Sequence, residues 1–127
     1  MAAKEITGKT RVWAHLAHPS THIRATQTFN RAFRERELDV VAVSIDVTPA
    51  DMPSLVRALK GWRNLCGMGV TMPHKGPIAN VCDETVDLAT LCKSVNTIRR
   101  EPDGRLIGTN TDGAGFLAGL KQGGHDP

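Results

Sequence analysis

The chain has 127 residues, with 16 Lys and Arg against 13 Asp and Glu for a formal charge of +3, and it is 40% hydrophobic and 23% charged. Those proportions suit one folded globular domain and exclude a disordered tail or a coiled coil. Aromatic residues make up 4%, with no tyrosine, so the core must be aliphatic and a stacking platform for nucleic acid is disfavoured. The small excess of positive charge suits an anionic small molecule and does not demand a polynucleotide.

Three cysteines, Cys66, Cys82 and Cys92, form no C-x-x-C pair, which disfavours a disulfide scaffold or a zinc ribbon and favours reduced, buried thiols in a cytoplasmic protein. Met1 to Thr10 is polar, without a secretory apolar stretch. No apolar run approaches the ~18 residues that span a bilayer.

In chain order, Arg11 to Leu16 reads as a first strand. Residues 26–38 read as a helix with Phe29, Ala32 and Phe33 on one face. The interleaved Arg31, Arg34, Glu35, Arg36, Glu37 and Asp39 form its solvated side. Val40 to Val47 is apolar on both alternating faces, which predicts a strand buried on both sides. Pro53 falls in the first turn of a second helix, whose stripe is Leu55, Val56, Leu59 and Trp62. Leu65 to Thr71 reads as a strand, Met72 to Gly76 as a loop and Pro77 to Val81 as a short helix. A further helix is predicted from Asp83 through Cys92. Val95 to Arg100 and Arg105 to Thr109 form a hairpin across Glu101-Pro102-Asp103-Gly104. Asn110 to Asp112 supply caps for a last helix that ends at Gly123 and Gly124. The order predicts a three-layer α/β/α sandwich on a mostly parallel mixed sheet with one antiparallel strand.

Ligands of such sheets bind beyond the carboxyl ends of the strands, and two segments fall there. Gly67 to Gly76 puts Lys75 on a loop stiffened by proline and glycine. Gly108 to Phe116 puts Asn110, Thr111 and Asp112 at a strand end and helix start. A lysine and an aspartate across a crevice suit proton transfer. A surface lysine and a helix cap would read the same way by spacing alone.

The same segments resemble the substrate-binding domain of the shikimate/quinate dehydrogenase family. Its patterns N-V-T-x-P-x-K, G-A-V-N-T and G-x-N-T-D-G-x-G appear here in register as Gly69 to Lys75, Lys93 to Thr97 and Gly108 to Gly115. The resemblance implies an NADP-dependent oxidoreductase of aromatic amino-acid biosynthesis. It implies Lys75 and Asp112 as the catalytic pair, and Thr71, Asn96, Thr111 and Asp112 as substrate contacts. It implies that residues 1–127 form the substrate domain, that the NADP-binding Rossmann domain is absent from this chain, and that the chain alone binds no cofactor and is inactive. The exposed interdomain face would then favour a homodimer.

The sequence departs from the family's pattern at the loop H-S-x-S-P. His22-Ile23-Arg24-Ala25-Thr26 stands there, so Ile23 and Ala25 replace two serines that grip a carboxylate. Gly69 replaces the asparagine of N-V-T. Arg24 is a candidate replacement grip, because a guanidinium binds a carboxylate bidentately. Gly113-Ala114-Gly115 resembles a dinucleotide turn, yet its position favours close backbone packing at a helix start. His15, His18 and His22 lack the helical setting of a zinc site, and Lys75 lacks the neighbours of a phosphate loop. The alternative to an enzyme lobe is a binding module that sequesters a polyol acid or pairs with a separate nucleotide-binding chain.

Overall fold

The computed structural model describes residues 4–126. Its elements are β1 (Arg11–Ala17), a 3-10 turn (Ser20–His22), α1 (Ala25–Glu35), β2 (Val40–Asp46), α2 (Met52–Leu59) and β3 (Leu65–Val70). A second 3-10 turn (Pro77–Asn80), β4 (Glu84–Thr85), α3 (Leu88–Cys92), β5 (Thr97–Arg100), β6 (Leu106–Thr109) and α4 (Asp112–Gln122) follow. The strands form one sheet in the order β2-β1-β3-β5-β6-β4. Only β5 runs against its neighbours, so the expected mixed α/β sandwich with one antiparallel strand forms.

Alternation along β1 assigns the two faces. Ala14 and Leu16 join Met68, Val70 and Ile98 in a core closed by Met52, Val56 and Leu59 of α2. Each fully buried aliphatic side chain there contributes about 1.5–3 kcal/mol. Trp13 and His15 point to the opposite face, where Phe29 of α1 packs on Trp13 with ring centroids 4.2 Å apart. The chain leaves β1 for β2 on one side and returns to β3 on the other. Two such crossovers diverge at the carboxyl ends of β1 and β3 and leave a crevice between them.

Several details differ from the sequence expectation. β2 is not buried on both sides as its pattern predicts: of its residues only Ala42 is buried and Val43 is 36% exposed, and the strand lies at the sheet edge. Its free edge is blocked by Asn30, whose side-chain amide donates to the Ala42 carbonyl at 2.9 Å and accepts from the Ala42 N–H at 2.8 Å. That pairing occupies groups that would otherwise template another strand. The segment expected to be helical from Asp83 begins with the short strand β4, paired to Ile107 and Gly108. Cys92 is exposed rather than buried, while Cys66 and Cys82 are half-buried. In the hairpin turn Gly104 adopts a φ of 92°, which only glycine takes without strain. Asn110, not Thr111, supplies the side-chain oxygen at the start of α4, accepting the Asp112 N–H at 2.9 Å. Phe116 and Leu117 of α4 and Leu91 of α3 are exposed.

Candidate functional site

A cleft of about 600 Å³ opens at the crevice, walled on one side by β1 and α1 and on the other by β3, β5 and the start of α4. Thr71, Lys75, Asn96, Thr111, Asp112 and Arg24 all line it. The topology therefore gathers the catalytic and substrate-contact candidates read from the sequence, while Asn110 stays outside the cleft lining.

Lys75 is fixed by its backbone before its side chain is considered. Thr71 N–H bonds the Leu16 carbonyl at 3.0 Å, and His74 N–H bonds the Thr71 carbonyl at 3.0 Å. The Lys75 carbonyl accepts the Val95 N–H at 2.8 Å. His74, absent from the sequence reading, anchors the same loop. It is fully buried, and its Nε2 lies 2.8 Å from the Val47 carbonyl. A carbonyl only accepts, so that nitrogen carries the proton. The signal was an imidazole next to Lys75 in the loop, which spacing alone does not distinguish from a solvated side chain.

The Lys75 ammonium donates to Asp112 Oδ2 at 2.7 Å. The other carboxylate oxygen accepts from Asn96 Nδ2 at 2.9 Å. Asn96 Nδ2 also reaches Thr111 Oγ1 at 2.9 Å, and its Oδ1 accepts the Thr111 N–H at 3.0 Å and the Thr97 hydroxyl at 3.1 Å. Asn96 is itself held by β-type bonds, its carbonyl to Val70 N–H and its N–H to the Thr109 carbonyl. The Lys75 hydrogen bond, ahead of the opposing effect of desolvation, holds the Asp112 carboxyl below the ordinary range. Asp112 is thus a carboxylate at neutral pH, and the pair is half-open to the cleft.

The opposite wall has different chemistry. Trp13, His15, His22, Ile23, Ala25 and Phe29 face the cleft. Arg24 stands exposed at the start of α1, with no carboxylate partner among the described residues. His18 Nδ1 lies 2.8 Å from Asp46 Oδ1, and Asp46 Oδ2 takes the Ser20 N–H at 2.9 Å. The Ser20 N–H first and His18 second hold Asp46 below the usual carboxylate range. Among the described residues no three His, Cys, Asp or Glu side chains are grouped to hold a metal. No cysteine lines the cleft, and burial pushes the Cys82 thiol up to about 11, away from nucleophilic use.

Gly113 and Gly115 lie within α4 rather than in a strand-to-helix turn. A Cβ at Gly113 would meet Leu88 Cδ1 at 3.4 Å, whereas one at Gly115 would meet nothing within 4 Å. The close packing expected at both glycines is therefore confined to the first, because α4 buries none of its residues. Among the described residues no helix is long and apolar enough to cross a membrane.

An ion pair at strand ends, held by a saturated asparagine and open to a cleft, defines a small-molecule-binding lobe. The chain belongs to the shikimate dehydrogenase substrate binding domain family, whose sequence model matches residues 16–98. It is similar to the shikimate dehydrogenase (NADP(+)) of Rubrobacter xylanophilus, at 36% identity over 100% of this chain and 44% of that protein. The enzyme of the same name from Geobacter metallireducens is 38% identical over 93% of this chain and 41% of its own length. This chain thus spans about two-fifths of the length of these relatives. The crystal structure of Listeria monocytogenes shikimate 5-dehydrogenase with shikimate and NAD superposes with a TM-score of 0.90, at 34% identity over 98% of this chain and 43% of that one. A 5-ketofructose reductase of a Gluconobacter strain superposes at 0.82, with 26% identity over 89% of this chain and 40% of that one.

Proposed function

We propose that this chain is the substrate lobe of an NADP-dependent dehydrogenase acting on a shikimate-like cyclic hydroxy acid, with Lys75 and Asp112 handling the proton of the reacting hydroxyl. The observation that carries the reading is the 2.7 Å Lys75–Asp112 contact on the cleft wall, between residues 37 positions apart. The relatives' names support the substrate class and NADP, and the Listeria complex, which holds shikimate and NAD, supports the substrate class and a nicotinamide cofactor.

In the reducing direction the substrate's carbonyl oxygen becomes an alkoxide as its carbon gains a hydride. An ammonium within hydrogen-bonding reach stabilises that charge and gives up a proton; in reverse, the free amine takes it back. Asp112 holds the ammonium toward the cleft and orients the same hydroxyl. Asn96 and Thr111 keep Asp112 turned outward, and their shared hydrogen bond is the one a further substrate hydroxyl would enter. Thr71 contributes a hydroxyl beside Lys75. Arg24 at the far rim binds the carboxylate in place of the serine hydroxyls absent at Ile23 and Ala25. In a complete family enzyme NADP would be held by residues outside this chain. Bound there, it would supply the hydride chemistry.

The test joins this chain to the cofactor-binding half of a relative and measures turnover. Lys75→Ala is expected to lower kcat by about 10²–10⁴-fold with an unchanged fold. Near-normal turnover in that variant removes the assignment.

A further inference from the structure

β1 carries two rings onto the cleft side of the sheet, Trp13 and His15, each 9% exposed. They fit because β3 lacks side chains beside them. His15 pairs with Gly69 and Trp13 with Gly67 in the β1–β3 register. A Cβ at Gly69 would overlap the far end of the Trp13 indole, 2.6 Å from Cζ2, and would lie 2.7 Å from His15 Nδ1. The indole therefore occupies the space of a side chain at position 69, and it meets the imidazole at a centroid distance of 5.3 Å and an interplanar angle of 65°.

This packing seals His15 Nδ1 away from water with no hydrogen-bond partner. An unpaired buried polar atom costs about 1–3 kcal/mol, and an aliphatic side chain would fill the same space without that cost. Core packing therefore gives no reason for an imidazole here. The reason lies on the other edge of the ring. With Nδ1 sealed, Nε2 is the nitrogen left to meet a ligand in the cleft that His15 lines. The ring stays neutral, because burial first and the Lys75 charge second push its proton affinity down. A neutral imidazole beside an ammonium can exchange a hydrogen bond with a hydroxyl without competing for the reacting proton.

We propose that His15 is a ligand-binding residue of the cleft, its Nε2 bonding a second hydroxyl of a polyhydroxylated ligand, with Trp13 over Gly69 as the device that holds the ring in place. The inference rests on the function proposed above and adds a specificity-determining contact on the wall opposite the ion pair. It also accounts for Gly69: any side chain there displaces the indole and, with it, the imidazole.

Side-chain geometry supplies the test. Glutamine places its amide nitrogen near the Nε2 position of histidine, asparagine near Nδ1, and leucine offers neither. Shikimate and quinate are titrated calorimetrically into the wild-type chain and into His15→Gln, His15→Asn, His15→Leu and Lys75→Met, with melting temperatures taken for each. Asn and Leu are expected to weaken binding about tenfold, the worth of roughly 1.4 kcal/mol, while Gln stays within about threefold of wild type. Equal binding by all three His15 variants, or losses that track melting temperature, overturns the inference. If Lys75→Met alone weakens binding, His15 is excluded and the proposed function stands. If the wild type binds neither probe, both fall together.

Discussion

The two walls of the cleft hold their side chains by different means. On the β3–β5–α4 wall, Lys75, Asp112, Asn96 and Thr111 satisfy one another through hydrogen bonds of 2.7 to 3.0 Å. On the β1–α1 wall, Trp13, His15 and Phe29 are positioned by ring packing and by missing Cβ atoms, and Arg24 has no carboxylate partner among the described residues. The first wall holds the three family motifs, departing from them at Gly69 and Lys93, and carries the proton chemistry proposed above. The second departs from the family's pattern at Ile23 and Ala25, takes the space that Gly69 of β3 leaves open for its rings, and in the proposal above governs which ligand fits. A polar network tolerates little change, since one lost partner strands the others. A packed wall can be recut by volume-matched exchanges.

Disturbing each wall sharpens this contrast. The largest stability effect is expected at the loop beneath Lys75. His74→Ala leaves the Val47 carbonyl unpaired and opens a cavity, and about 3 kcal/mol should be lost in denaturant melts. Binding of cyclic hydroxy acids should weaken further than the melts alone explain, because Lys75 loses its anchor. A variant melting like wild type would show that His74 does not hold the loop. Where the two walls meet, Gly69→Ala on β3 forces Trp13 or His15 aside and should cost about 2 kcal/mol. Its indole fluorescence should shift; an unshifted spectrum would contradict the tight indole packing.

Smaller effects follow away from the cleft floor. Lys93 ends α3 with φ of 50°, where the family pattern has glycine. Lys93→Gly should stabilise the chain by about 1 kcal/mol, read as a raised melting temperature, and a loss would show that the left-handed turn is not strained. The smallest effect is at acid pH. Asp112 has its folded-state pKa lowered, chiefly by Lys75. The pair's stabilisation is therefore present above the ordinary carboxylate range and fades as pH falls through the lowered value. Solvent screens the half-exposed pair, so Asp112→Asn should differ slightly from wild type at neutral pH and converge with it under acid. A difference that grew on acidification would reverse the assignment.

Much of this was legible in the sequence, for identifiable reasons. Long apolar periodicities gave β1, α1, α2 and the hairpin, and strand-end placement gave Lys75 and Asp112. β2 misled because its valines and alanine make both alternating faces apolar, whereas at the sheet edge only Ala42 is buried and Val43 stays open to solvent. β4 was hidden because its two residues, Glu84 and Thr85, pair through backbone alone. His74 and His15 escaped because their roles come from burial: one meets a carbonyl 27 positions away, the other an indole over a glycine in a neighbouring strand. Histidine spacing along the chain suggested only a metal set to be weighed, not a wall of the cleft.

The most direct measurement is a crystal structure of this chain grown with shikimate. The account predicts one ring hydroxyl within roughly 3 Å of both Lys75 Nζ and an Asp112 carboxylate oxygen. A ligand ordered in the cleft with that pair still bonded only to each other, and no hydroxyl between them, would contradict it.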